Sequence, residues 1–316
     1  MITDFQREKR KNHVGSSDVA AILDLWRDPA TPSFDPFTNA YNVWLEKTGK
    51  LKDKEKTGSA ISLGKLLENA ILEMAEQSLG KIRRNQYRVV KDLPILAAST
   101  DGIVMSTGEP VEAKTTNLTW RGGPDTDHWG DEGTDDVPPR VIIQCTVQMM
   151  AAKAQVCHNP VIIGGRGFVM FRISLDNDFA QMILERVGEF WDKYIKTDTP
   201  PANCTPSMEL LKRVRRIPKT IAPVSDSLVE KWENLRQASL QIEKDEKQAE
   251  AEMLAPLGTA EAGQLSDGRL LTYYEQSREI IDGKRLKEEL PDVAAKYIKQ
   301  TTYRVPRLQK RKLLKG

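Results

Sequence analysis

Asp101, Glu112 and Lys114 lie in the segment Ser99-Thr-Asp-Gly-Ile-Val-Met-Ser-Thr-Gly-Glu-Pro-Val-Glu-Ala-Lys114. These residue types have a specific chemistry open to them. Carboxylates hold a hard divalent cation such as Mg²⁺, and an ammonium beside them orients or activates a water next to a phosphate. Ile103, Val104 and Met105 read as a strand, 106–110 as a turn and 111–114 as a second strand. Alternation along an extended strand puts Glu112 and Lys114 on one face, about 6.5–7 Å apart. A hairpin brings Asp101 beside them. Glu-x-Lys on a strand is commonly just solvated charge, so the neighbourhood must decide.

The elements expected to position the trio follow from periodicity. Gly15 permits a turn, and Ser16 or Ser17 can cap a helix whose first turn carries Asp18. Helix N-termini with free N–H groups are natural phosphate sites, and Arg7, Lys9, Arg10 and Lys11 come just before. A second helix is expected over 58–79, with Ile61, Leu63, Leu66, Leu67, Ala70, Ile71, Met74 and Ala75 at helical spacing. Glu68 sits inside that stretch, as a surface charge or as a further ligand. A β stretch over 160–174 then leads into a helix over 176–195, whose apolar face includes Phe179, Met182, Ile183, Val187 and Trp191. Strands alternating with helices describe an α/β core with a central mixed sheet.

In their order along the chain, seven pieces resemble the YqaJ-type viral recombinases. That family includes the lambda exonuclease and belongs to the PD-(D/E)XK nuclease superfamily. The pieces are Val14-Gly-Ser-Ser-Asp-Val-Ala-Ala-Ile-Leu23, Val43-Trp-Leu-Glu-Lys-Thr-Gly49, Leu63-Gly-Lys-Leu-Leu-Glu68, Ala98-Ser-Thr-Asp-Gly102, Val111-Glu-Ala-Lys114, Trp129-Gly-Asp-Glu-Gly-Thr-Asp-Asp-Val-Pro138 and a helix starting near Val141. The resemblance covers about residues 7–195. It implies a restriction-endonuclease-like fold in which a central mixed sheet is flanked by helices.

The resemblance also implies roles. Asp101, Glu112 and Glu68 become metal ligands for Mg²⁺, with Mn²⁺ substituting, and Lys114 the water-orienting lysine. Arg10, Ser17 and Ser99 match a 5′-phosphate clamp, with Arg7 as the alternative to Arg10. Gln144 matches the first glutamine of a Gln-x-Gln motif bordering the active site. Residue 146 is Thr where the second glutamine is usual, while Gln148 shares the helical face of Gln144. The implied activity is 5′→3′ digestion of double-stranded DNA to 3′ single-stranded overhangs for phage-type recombination. A homotrimeric ring, DNA ends as substrate, a single-strand annealing partner and a phage or prophage origin in a bacterial cytoplasm come with it.

At 316 residues the chain can bury a full core and an addition. A net charge of +2 does not by itself declare a nucleic-acid binder, so local clusters matter more. Three cysteines without a CxxC pair fit reduced thiols, and Cys145, Cys157 and His158 lack the second ligand pair a zinc site needs. No apolar run is long enough to span a membrane, and no signal peptide is read. The acidic loop 122–139 lacks the EF-hand register, and His128 in it shows no partner in the sequence. Basic clusters at 212–219 and 307–315 suit backbone phosphates.

The division is expected between a 1–205 core and a 206–316 extension of helical and small α/β elements. Ser227 and Glu230 read as a capping box opening a helix to about Leu254, with Leu228, Trp232, Leu235 and Ile242 on one side. That helix suits a hairpin arm or a short coiled-coil contact. A turn at 266–268, a strand over 270–274, a helix cap at Asp282 and a helix over 291–300 follow. Two other readings remain: an endonuclease using the same trio, and a non-catalytic DNA-binding recombination accessory.

Overall fold

The computed structural model describes residues 12–52, 59–116, 128–202, 204–299, 306 and 308. Arg7, Arg10 and nearly all of the basic tail lie outside the described residues. The chain divides into two compact units after Arg216. The first unit runs past residue 205 because the basic cluster at 212–219 begins in structure. A short helix over Met208–Arg213 ends there, and Val214 bridges to Leu51.

The first unit is built on a seven-stranded mixed sheet flanked by helices, as the strand and helix pattern predicts. In chain order its strands are β1 (Val14–Gly15), β2 (Ile82–Val89), β3 (Leu96–Val104), β4 (Pro110–Val111), β5 (Lys114–Thr116), β6 (Val156–Ile163) and β7 (Gly167–Ser174). The helices are α1 (Val19–Leu23), α2 (Ala40–Lys47), α3 (Ser59–Leu79), α4 (Pro139–Ala152) and α5 (Asn177–Phe190). β2 and β3 pair antiparallel, and so do β6 and β7. Between these hairpins run β4 and β5, both parallel to β6, while β4 is also antiparallel to β3. The expected hairpin exists, with Gly102 opposite Val111.

α4 explains how the core is laid out. Ile143 and Val147 pack with Ile22, Leu96, Ile183, Val187 and Phe190, whereas Val141, Cys145 and Met149 pack with Val161, Phe171 and Ile173. A helix apolar on two sides is a helix buried between layers. α3 lies against β5 and β6, and Leu72 and Ala75 pack with Ile82, Val104 and Val111. Its stripe is only partly buried: Ile71, Leu72 and Ala75 are covered, while Leu66 is 75% exposed.

The N-terminal cap differs from expectation. Ser16–Asp18 forms a 3-10 turn before α1, and neither serine caps. Asp18 instead accepts from Gly15 N–H at 2.9 Å and from Lys47 Nζ at 2.8 Å, and the Lys47 side chain is 1% exposed. That ion pair joins two of the sequence motifs. With α1 only five residues long, the helix-dipole argument for a phosphate site there loses its basis. His128, read as unpartnered, bonds Asp136 at 2.9 Å. Arg166 donates to the carbonyls of Trp129 and Gly130, both at 2.8 Å, and holds this loop against the sheet.

The second unit holds α7 (Asp226–Leu254), β8 (Ala262–Gln264), β9 (Leu270–Thr272), α8 (Gly283–Glu289) and α9 (Pro291–Tyr297); the Met208–Arg213 helix is α6. The capping box does not form. The helix starts at Asp226 with Ser225 as its N-cap, which leaves Ser227 inside the first turn. Asp282 does cap α8, accepting from Lys284 and Arg285 N–H at 3.0 Å.

Gly102 ties the fold to the trio. A Cβ added there would lie 2.2 Å from Ile82 Cγ2, an atom in the packed layer between β2 and α3. Gly102→Ala should therefore destabilise by about 1–3 kcal/mol, read from denaturant midpoints. Combined with Ile82→Ala, it should cost less than the two single changes added together. Additive effects of the two changes would contradict the close approach.

Candidate functional site

Between β4 and β5 the sheet ladder breaks at Glu112 and Ala113, and side chains complete it. Ala113 N–H donates to Asp101 Oδ2 at 2.9 Å, and Asn159 Nδ2 donates to the Glu112 carbonyl at 2.5 Å. Glu112 N–H still bonds the His158 carbonyl at 2.9 Å. The break lets two backbone groups take side-chain partners, which draws Asp101 across from β3 to the strand that carries Glu112 and Lys114.

The Glu112 carboxylate is 4% exposed and meets three donors. Lys114 Nζ and Gln144 Nε2 both reach Oε1 at 2.6 Å, and Gln148 Nε2 reaches Oε2 at 2.6 Å. Lys114 Nζ also donates to Gln144 Oε1 at 3.1 Å, so lysine, glutamate and glutamine close a triangle. A buried carboxylate is tolerable only with such partners. Gln144 and Gln148 are one helical turn apart on α4 and point to the same carboxylate. Thr146 faces elsewhere and bonds the Ile142 carbonyl at 2.8 Å. The question the sequence left open between the two glutamines thus has a geometric answer: both contact Glu112.

Burial, the Glu112 charge and the Glu68 charge hold the Asp101 carboxyl well above the usual carboxylate range, against the pull of Lys114 and the Ala113 N–H. Burial pulls Lys114 down, but the charges of Glu112 and Asp101 outweigh it and leave the ammonium above an ordinary lysine. Lys114 is therefore a firmly charged donor, not a neutral base. Glu68, half-buried on α3, acts on Asp101 through its charge.

The phosphate-clamp residues are less closely assembled. Arg10 lies outside the described residues. Ser17 is exposed and lines a cavity of about 280 Å³ together with Asp18, Thr38, Arg140, Lys114 and Gln144. Ser99 is half-buried on β3, two residues before Asp101 and so on the same strand face. Its carbonyl accepts from Gln148 Nε2 at 3.3 Å, and its Oγ is buried with no hydrogen-bond partner among the described residues. A larger apolar cavity of about 620 Å³, lined by Trp26, Phe34, Ile142, Phe179 and Met182, touches none of these groups.

A divalent cation fits this donor set. Among the described residues no three His, Cys, Asp or Glu side chains gather closely enough to form a ligand cluster by themselves. Mg²⁺ needs only one or two carboxylates because it keeps several waters. Asp101 and Glu112 supply that pair, and the repulsion from Glu112 that adds to burial in raising Asp101 is what a cation between them would relieve. Cys145 and Cys157 are buried free thiols. Asn159 was not singled out from the sequence. Nothing in a lone buried asparagine on an apolar strand signals that it braces the Glu112 carbonyl.

The chain is 24% identical over 309 residues to an uncharacterised protein, YqaJ, of Bacillus subtilis strain 168, covering 94% of this chain and 91% of that one. An alkaline exonuclease from Laribacter hongkongensis aligns at 19% identity over 62% of this chain and 94% of its own, with a TM-score of 0.46. A phage-related exonuclease from Haemophilus somnus 129PT aligns at 14% identity over 59% and 96%, with a TM-score of 0.43. Structural likeness at this level carries no argument about chemistry. Among the described residues no helix is long and apolar enough to cross a membrane. Residues 6–155 of the chain match the model of the YqaJ-like viral recombinase domain family.

Proposed function

We propose that this protein is a metal-dependent deoxyribonuclease that degrades linear duplex DNA from its 5′ ends and leaves 3′ overhangs for recombination. The observation that carries the reading is the meeting of Asp101, Glu112 and a charged Lys114 at the break in the sheet, beside a cavity that reaches Ser17. Asp101 and Glu112 would hold Mg²⁺, or Mn²⁺ in its place, with Glu68 adding negative charge. The bound ion supplies Lewis-acid stabilisation of charge on phosphate oxygens and lowers the pKa of water. Lys114, held by Glu112 and Gln144, donates hydrogen bonds to a water or phosphate oxygen arriving from the cavity. Gln144 and Gln148 keep Glu112 in place, which fixes the lysine in turn. Ser17 and Ser99, with Arg10, would bind a terminal 5′ phosphate.

The family supports recombination as the setting. A ring of three subunits would keep DNA from diffusing away between cuts, and a single-strand annealing protein is the partner this product calls for. The endonuclease alternative uses the same residues and is separated from the first reading by topology of the substrate. With Mg²⁺, nucleotide release is expected from linear duplex and none from covalently closed circles, and removing the 5′ phosphate should slow release about tenfold or more. Linearised circles would favour the endonuclease. Equal rates with and without the phosphate would remove the clamp from the account.

The electrostatics give a second expectation. A carboxyl whose folded pKa is raised contributes stability that is complete below about pH 4 and lost as pH rises through the folded value. Without divalent cations, Asp101→Asn should melt at a higher temperature than the parent at pH 8, and the gap should close near pH 4. Mg²⁺ should raise the parent's melting temperature and leave the variant's nearly unchanged. An equal Mg²⁺ response in both proteins would place the cation elsewhere.

A further inference from the structure

Helix α7 is 29 residues long, about 43 Å at 1.5 Å per residue, and none of its residues is buried. Leu228, Leu235 and Ile242 are 64%, 62% and 65% exposed, respectively. With Trp232, Ala249 and Met253 they fall on positions 228, 232, 235, 242, 249 and 253. Filled in by Ser239 and Glu246, this seam alternates steps of four and three residues, the spacing of a left-handed coiled-coil face. An exposed seam of that length implies a second helix.

The residues flanking the seam say which helix. In the first half they include Lys231 and Arg236; in the second half they include Glu243, Asp245, Glu250 and Glu252. We propose that α7 pairs with α7 of a second copy of this chain, antiparallel and centred between Leu240 and Gln241. That single register matches size as well as charge. Trp232 then faces the partner's Ala249, Leu228 faces the partner's Met253, and Ser239 faces the partner's Ile242. Lys231 meets the partner's Glu252, and Arg236 meets the partner's Glu243. Two kinds of layer set a polar against an apolar residue, Ser239 with the partner's Ile242 and Leu235 with the partner's Glu246, polar positions of the kind that fix register at some cost in stability. A parallel pair would set Lys231 against Arg236 and Asp245 against Glu250, like charges at both places. Self-complementarity about one point makes a second copy the occupant, not an unrelated helix. The contact does not rest on the nuclease reading, and because it is two-fold it would join two three-subunit rings, not close one.

The test uses the full chain with Cys204→Ser, since Cys145 and Cys157 are buried and Cys204 is half-buried. Lys231→Cys and Glu252→Cys are made separately and co-expressed, then treated with a short bismaleimide. The two positions are about 31 Å apart along the helix, so each variant alone should stay uncrosslinked while the co-expressed pair gives a covalent dimer. Cross-linking of Lys231→Cys alone would show parallel pairing and overturn the proposal. Absence of cross-linking in every sample would overturn it too. Separately, Arg236→Glu should halve the mass measured by sedimentation, and Arg236→Glu with Glu243→Arg should restore it, with helix content unchanged throughout. A mass unaffected by Arg236→Glu would remove the second copy from α7.

Discussion

Glu112 is a carboxylate almost fully removed from water, and the site is organised around giving its two oxygens partners there. Burying an ionised carboxylate without partners costs several kcal/mol, about as much as a domain's whole net stability. Here one ammonium and two carboxamide N–H donors meet its two oxygens. The three donors come from two constraints. Lys114 is two residues along the same strand, whereas Gln144 and Gln148 need α4 to lie flat behind the sheet. α4 can do so because it is apolar on both remaining sides. The buried core and the polar cluster therefore specify the same helix position.

The break in the central strand is the complementary constraint. A continuous strand would satisfy Ala113 N–H and the Glu112 carbonyl within the sheet. Interrupting it frees both, and Asp101 and Asn159 fill them. Two carboxylates are thereby held near each other at a cost that shows in the raised pKa of Asp101. Strain of this electrostatic kind is common at functional sites, where a ligand relieves it. The ammonium of Lys114 balances part of the charge and remains 30% exposed, so it alone of this pair reaches outward.

Legibility in the sequence followed how local the cause was. The hairpin carrying Asp101, Glu112 and Lys114 was readable because strand alternation and a turn are short-range features. The long α3 and α7 helices were readable for the same reason. The capping box at Ser227 failed because the helix begins two residues earlier than that cap requires, at Asp226 with Ser225 as N-cap, and boundaries depend on a competition among neighbouring polar side chains. Neither Ser16 nor Ser17 became a cap, because both sit inside a 3-10 turn that precedes α1. Asn159 and the His128–Asp136 pair depend on contacts that no periodicity encodes. Gln148 was visible through its one-turn spacing from Gln144, yet only the packed helix shows both reaching one carboxylate.

Lys114 tests the central claim most directly, because it is the charged donor that the whole cluster orients. Lys114→Ala should be compared with the parent for nucleotide release from linear duplex in Mg²⁺ under single-turnover conditions, at DNA concentrations where both are saturated. A fall in rate of about 10²–10³-fold with DNA affinity little changed, measured at a temperature where both proteins are folded, is the predicted result. Release at the parental rate by a folded, DNA-bound Lys114→Ala protein would contradict the account.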